Sequence, residues 1–241
     1  REVADKAIEL DPNNSESLIA QTIVALLINW DLPTAHAQTE KALENSPNDL
    51  AALGWHASNL TFLGEFDEAE AALTKALAVD PLSLASLRTL GDVYMTSGRC
   101  DLAIDTYQRA LNLAPDTGRF YGRIARCKLF QGDLEAAKAL NAKEPVIWVR
   151  ETNELIILGR EGPVEEWQAA VTKYEDEYGF GNSYQMAEIY ADKGDMDKTF
   201  EWLDHTARVK DPGGPWALIM PFFDEAKNDP RWQEYKAKFS L

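Results

Sequence analysis

The sequence predicts an all-α protein: a right-handed α-α superhelix of about six helix-turn-helix repeats with a capping helix at its C-terminal end. Three observations predict it. Prolines stand at Pro12, Pro47, Pro81 and Pro115, at spacings of 35, 34 and 34 residues. Each is preceded by a segment of the same kind, such as Ala76-Leu77-Ala78-Val79-Asp80-Pro81 and Ala110-Leu111-Asn112-Leu113-Ala114-Pro115. No alternation of period two lasts more than a few residues, so no strand is expected. A repeat of about 34 residues has room for two helices and a turn, and only stacking on its neighbours buries its apolar faces.

The clearest unit runs from Leu84 to Thr117. Leu87, Tyr94 and Tyr107 fill the space between helices. Gly91 and Ala103 are small where the two helices cross, and Ala110 is small where the next unit packs. Gly98 ends the first helix, where a positive φ favours glycine. Pro115 ends the second and restricts the residue before it. The unit from Leu50 to Ser83 matches it with Leu53, Ala57, Leu60, Gly64, Ala69, Leu73 and Ala76. The unit from Ser15 to Asp49 is looser and carries one extra residue before Ala35. Residues 1–14 read as the second helix of a truncated repeat, so the chain is expected to be a piece of a longer protein. After Pro115 the pattern loosens. Leu134 to Lys143 is a second helix cut short before Pro145, so residues 15–144 hold the regular repeats and 145–213 divergent ones. In the tail, 214–241, Asp229-Pro230 is a strong helix start, and the helix from Pro230 to Phe239 is expected to cap the stack.

These positions resemble the tetratricopeptide repeat (TPR) pattern, most specifically over residues 50–117. The resemblance implies a scaffold that binds a peptide or partner protein in its concave groove and does not catalyse. The C-terminal part, with Tyr184 to Ala191, Gly194-Asp195, Glu201-Trp202-Leu203, Asp211-Pro212 and Asp229-Pro230-Arg231-Trp232, is similar to the closing repeats of bacterial signalling and transcription-regulatory proteins. In those proteins a TPR region follows a winged-helix DNA-binding domain, an adenylate cyclase domain or a kinase domain. A cytoplasmic location is expected.

The resemblance also indicates which first-helix positions face the groove: Ala51, Gly54, Ser58, Thr61 and Phe62, then Ala85, Arg88, Asp92, Met95 and Thr96, then Arg119, Gly122, Arg126, Leu129 and Phe130. Arg119, Arg123 and Arg126 share a helical face, with Arg88 one repeat away. Residues 84–132 hold seven basic against four acidic side chains, in a chain of net charge −16. A basic patch in an acidic protein is a local anion site, since Arg pairs with carboxylates bidentately. It points to an acidic or carboxylate-terminated peptide. Asp92, Asp116 and Asp133 are alternative, internal partners for these arginines. Phe62, Met95, Leu129 and Phe130 either grip an apolar peptide or pack between helices.

The acidic balance repels nucleic acid and anionic membranes. No apolar run reaches the ~18 residues of a membrane helix. His36, His56 and His205 are scattered, and Cys100 and Cys127 read as small core residues, so no metal is expected. No phosphate loop or nucleophile elbow is present, and no cofactor or catalytic role is expected. Two alternatives stand beside the binding scaffold. In one, Trp216, Phe222, Phe223 and Trp232 make a tail that dimerises or docks on an upstream effector domain. In the other, the helices close into an α/α-barrel enzyme, against which the steady period favours an open stack.

Overall fold

The computed structural model describes Asp11, residues 14–179 and residues 181–241. The predicted helix over residues 1–14 lies outside the described residues, apart from Asp11 and Asn14. Among the described residues there are no strands, and six helix-turn-helix pairs follow one another. The pairs are α1 (Ser15–Ile23, continued by a π turn, Val24–Asn29) with α2 (Leu32–Asn45), α3 (Leu50–Leu63) with α4 (Phe66–Val79), α5 (Leu84–Thr96) with α6 (Cys100–Leu113), α7 (Phe120–Phe130) with α8 (Leu134–Asn141), α9 (Ile147–Glu161) with α10 (Val164–Tyr178), and α11 (Ser183–Lys193) with α12 (Met196–Val209). The tail forms three 3₁₀ segments, Gly214–Leu218, Pro221–Phe223 and Ala226–Asn228, and then α13 (Arg231–Ala237). None of the described helices is long and apolar enough to cross a membrane.

Local chemistry places the helix ends. Asp49 accepts hydrogen bonds from the backbone N–H groups of Ala51 and Ala52 at 2.9 and 3.1 Å, capping α3. Asp31, Asp133 and Asp195 cap α2, α8 and α12 in the same manner, each satisfying donors that the first helical turn leaves free. Gly64, Gly98 and Gly132 follow first helices at φ +86°, +77° and +77°. Gly91 faces the Tyr107 ring so closely that a Cβ would fall inside it. Between the fourth and fifth pairs, Glu144 is 1% exposed. It folds under the start of α7 and accepts from Arg119 N, Gly122 N and Val146 N at 2.8, 2.9 and 2.9 Å. That carboxylate, placed where the α7 dipole favours negative charge, joins the short α8 to α9.

Position 30 departs from the glycine series. Trp30 lies 34 residues before Gly64 and holds the same left-handed conformation, φ +61°. A bulky residue there carries a strain of about 1–3 kcal/mol. Its ring is nevertheless fully buried. It stacks on Phe239 at 4.5 Å and 8°, and meets Tyr235 edge-on at 6.3 Å. Leu32 N–H donates to Phe239 O at 3.4 Å, and Lys210 Nζ donates to Asn29 O at 3.2 Å. Gly214 presses against the Trp30 ring, leaving no room for a Cβ. The main hydrophobic cluster therefore joins the first pair to the last helix, with Trp30, Tyr235 and Phe239 in one group.

This differs from the predicted open stack with a cap at its far end. The tail runs back across the concave side: Trp216 meets Phe62 of α3 at 5.3 Å and Phe222 meets Phe130 of α7 at 4.7 Å. These contacts take the tail's aromatic rings out of water, where a large apolar area is costly. The second closure element is the π turn. The extra residue of the first repeat, seen in the 35-residue proline spacing, is absorbed by widening the helix over Val24–Asn29.

Trp30→Ala is expected to lower the unfolding free energy in urea by about 3–5 kcal/mol, as for other buried Trp truncations. Gly214→Ala, at the opposite side of the same contact, is expected to cost about 1–3 kcal/mol by overpacking. A tail that merely rests on the stack would leave both urea midpoints unchanged.

Candidate functional site

Between the first helices and the returning tail lies a cavity of about 810 Å³, within the size range of sites that enclose a small ligand or a short peptide segment. The π turn, α3 and α5 form one side, and Arg119, α7 and α9 continue it. The start of α11 and the tail from Asp211 to Met220 form the far wall. Asp211 sets that wall in place. Its carboxylate accepts from Ser183 Oγ at 2.8 Å, Tyr184 N at 3.2 Å and Gly213 N at 2.8 Å. All five groove positions of α3 line the cavity, as do Ala85, Arg88, Asp92 and Met95 of α5, and Arg119, Gly122 and Arg126.

The four arginines divide into two kinds. Arg123 Nε donates to Asp92 Oδ1 at 2.7 Å, and Tyr107 Oη donates to the same oxygen at 2.7 Å. Burial works against the Arg123 guanidinium, but the Asp92 charge outweighs it and raises the pKa above its ordinary value. Arg126 forms a fork with Glu188, Nη1 to Oε1 and Nη2 to Oε2, both at 2.8 Å. Glu188 is fully buried and also accepts from Tyr184 Oη at 2.6 Å. Arg126 Nε donates to Asn153 Oδ1 at 3.0 Å, and the guanidinium lies 5.6 Å from the Phe222 ring centre. Burial, followed by the Glu188 charge, drives the Tyr184 phenol well above its usual pKa.

Arg88 and Arg119 are exposed and line the cavity. Among the described residues neither guanidinium has an ion-pair partner. Arg119 sits before α7 with φ +78°, and its guanidinium lies 5.1 Å from the Trp148 ring centre, a favourable cation–π position. Burial pulls its pKa below the ordinary value, and the charges of Arg123 and Arg88 pull it further, against Glu144. Three guanidinium groups thus crowd one wall with a single aspartate, Asp92, paired among them.

Of the expected apolar contacts, Phe62 and Met95 line the cavity, and Leu129 and Phe130 do not. Phe62 lines the cavity but turns its ring edge-on to Trp216. Met95 and Leu129 are 3% and 1% exposed, inside the core cluster. Phe130 packs on Phe222 and borders a second cleft, of about 990 Å³, on the other side of the tail. The aromatic wall is instead made by Trp55, Trp148 and Trp216, half-buried, with Leu26 and Leu27 of the π turn beside them. Sequence reasoning missed these. The available signals were a Trp next to a groove position, Gly54, and the extra residue of the first repeat.

Replacing Glu188 by Ala leaves the Arg126 charge buried and unpaired. The loss of unfolding free energy in denaturant is expected to be about 3–5 kcal/mol. The double change Arg126→Met with Glu188→Leu, which removes both charges and keeps apolar volume, is expected to recover most of it.

Comparison with known proteins agrees with the repeat architecture. Residues 56–118 and 88–143 match the tetratricopeptide repeat family. Superkiller complex protein 3 of Mus musculus is 29% identical over 136 residues, which is 56% of this chain and 9% of that protein. The chain therefore spans less than a tenth of the length of that relative. A tetratricopeptide repeat protein from Parabacteroides merdae superposes with a TM-score of 0.63, over 99% of this chain and 89% of its own, at 14% identity. PilW, a type IV pilus biogenesis factor, superposes with a TM-score of 0.52, over 85% of this chain and 82% of its own, at 18% identity. At such identities the two structures show the fold alone. Residues 56–143 carry tetratricopeptide repeats, and the described chain has the α-α superhelix of such proteins.

Proposed function

We propose that this chain is a protein-interaction scaffold that holds an acidic peptide segment of a partner protein inside the concave cavity. One observation carries the reading: Arg88 and Arg119 line one cavity, and among the described residues neither guanidinium has an ion-pair partner. A carboxylate placed between them would relieve their repulsion and accept charge-assisted hydrogen bonds, the strong kind. Arg123 and Arg126 have their own carboxylates and serve as the frame. We further infer a cytoplasmic regulatory module that follows an effector domain, a reading that rests on the motifs Gly194-Asp195, Glu201-Trp202-Leu203 and Asp229-Pro230-Arg231-Trp232 alone. The self-associating alternative gains no support from the tail, whose Phe222, Phe223 and Trp232 are buried within the chain.

The test is isothermal titration of acidic peptides into the wild-type chain and into Arg88→Glu/Arg119→Glu. Each charged hydrogen bond lost is worth about 1.5–3 kcal/mol, so the double variant is expected to bind at least 100-fold more weakly with an unchanged urea midpoint. Binding by the wild type is expected to weaken from 50 to 300 mM salt, as screening shortens the field to below about 10 Å. Equal affinities for the variant and the wild type would exclude this site.

A further inference from the structure

The cavity has a second end, and its construction is unusual. The first repeat carries one residue more than its neighbours, and the helix takes it up as a π turn over Val24–Asn29. Such turns are rare and tend to mark functional sites. Here the turn ends at the left-handed Trp30, and the amides of Trp30 and Asp31 both donate to Ala25 O. The result is that Leu26 and Leu27 form part of the cavity wall. Leu27, Trp55 and Trp216 are half-buried around the small cluster of Ala25, Leu26, Leu32, Ala35, Phe62 and Ile219. An apolar recess thus shares one cavity with Arg88 and Arg119, which have no ion-pair partner among the described residues.

Resting on the reading under "Proposed function", we infer that the site is bipartite. Arg88 and Arg119 read an acidic side chain, and Leu27, Trp55 and Trp216 read a bulky apolar side chain, both carried by one extended segment of the partner. The charge of the neighbouring wall selects this occupant: an apolar ligand without an acid leaves the guanidinium repulsion in place, and an acid without an apolar neighbour leaves the recess in water. The spacing follows from the helices. Trp55 and Arg88 stand at nearly equivalent places on α3 and α5, whose axes are about 8–10 Å apart in such packing. Arg119 lies further along the same wall. An extended chain advances about 3.3 Å per residue, so the acid stands roughly three to six residues from the apolar side chain.

Fluorescence anisotropy with labelled synthetic peptides tests this on the full chain. The probes are Gly/Ser-based peptides with one Glu-Glu pair and one Leu at separations of one, four and ten residues, and the same peptides with Leu→Ala or Glu→Gln. The four-residue peptide is expected to bind about tenfold or more tightly than its Leu→Ala form and than the other spacings. The variants Leu27→Ala and Trp55→Phe are expected to abolish the preference for Leu while keeping that for Glu. Because the peptide substitutions leave the protein untouched, a variant that folds poorly does not cloud the result. Peptides that bind through Glu alone, with Leu and spacing immaterial, would overturn the bipartite site and leave the acidic-segment reading standing. Failure of every peptide to bind would overturn both.

Discussion

The Trp30 ring lies flat on that of Phe239 at 4.5 Å, with Gly214 against its other contacts and Lys210 4.7 Å from its centre. Residues from the first pair and from the last helix meet there. A solenoid of this kind is ordinarily a one-dimensional array in which each repeat touches only its neighbours. This contact changes that. It joins the two ends of the described chain, so that unfolding either end removes a burial site for the other. The strain of a left-handed Trp at a position where other repeats place glycine is small beside the burial of an indole. The ring fills the space between Phe239, Tyr235 and Gly214 beneath the returning tail.

The cavity is a consequence of the same closure. Without the tail, the first-helix face would be an open trough, and Phe62 and Phe130 would lie at its surface. With it, their rings are covered by Trp216 and Phe222, and the unfilled volume shrinks to the region of Arg88, Arg119, Trp55, Trp148 and Leu27. Closure also sorts the arginines. Arg126 lies near Phe222 and is matched by a fully buried carboxylate, since an unpaired charge in such surroundings is costly. Arg88 and Arg119 stay in reach of solvent, which meets their charge without such a partner among the described residues.

Much of the repeat chemistry was legible in the sequence. The spacing of the prolines, Gly91 beneath Tyr107, Gly64 and Gly98 as left-handed stops, and the shortened helix before Pro145 all depend on neighbours within one or two repeats. Those neighbours recur with the period. The buried Cys100 and Cys127 likewise follow from residue type. The tail's return was not legible, because it rests on contacts between residues 30 and 239 that no local pattern signals. The partner of Arg126 was missed for the same reason: Glu188 is 62 residues away, whereas Asp116 and Asp133 were nearer in sequence. Asp92, close by in the preceding repeat, was within reach of a periodic argument and does pair with Arg123. The apolar recess was half visible, as an extra residue in the first repeat whose conformation the sequence left open.

Native-state hydrogen exchange across a series of low urea concentrations measures the closure directly. If the Trp30 contact joins the ends, amides of α1, its π turn and α13 merge into one opening reaction with a common free energy, close to that of the central pairs. Exchange of α13 at a distinctly lower free energy, with α1 and the π turn still protected, would contradict the account.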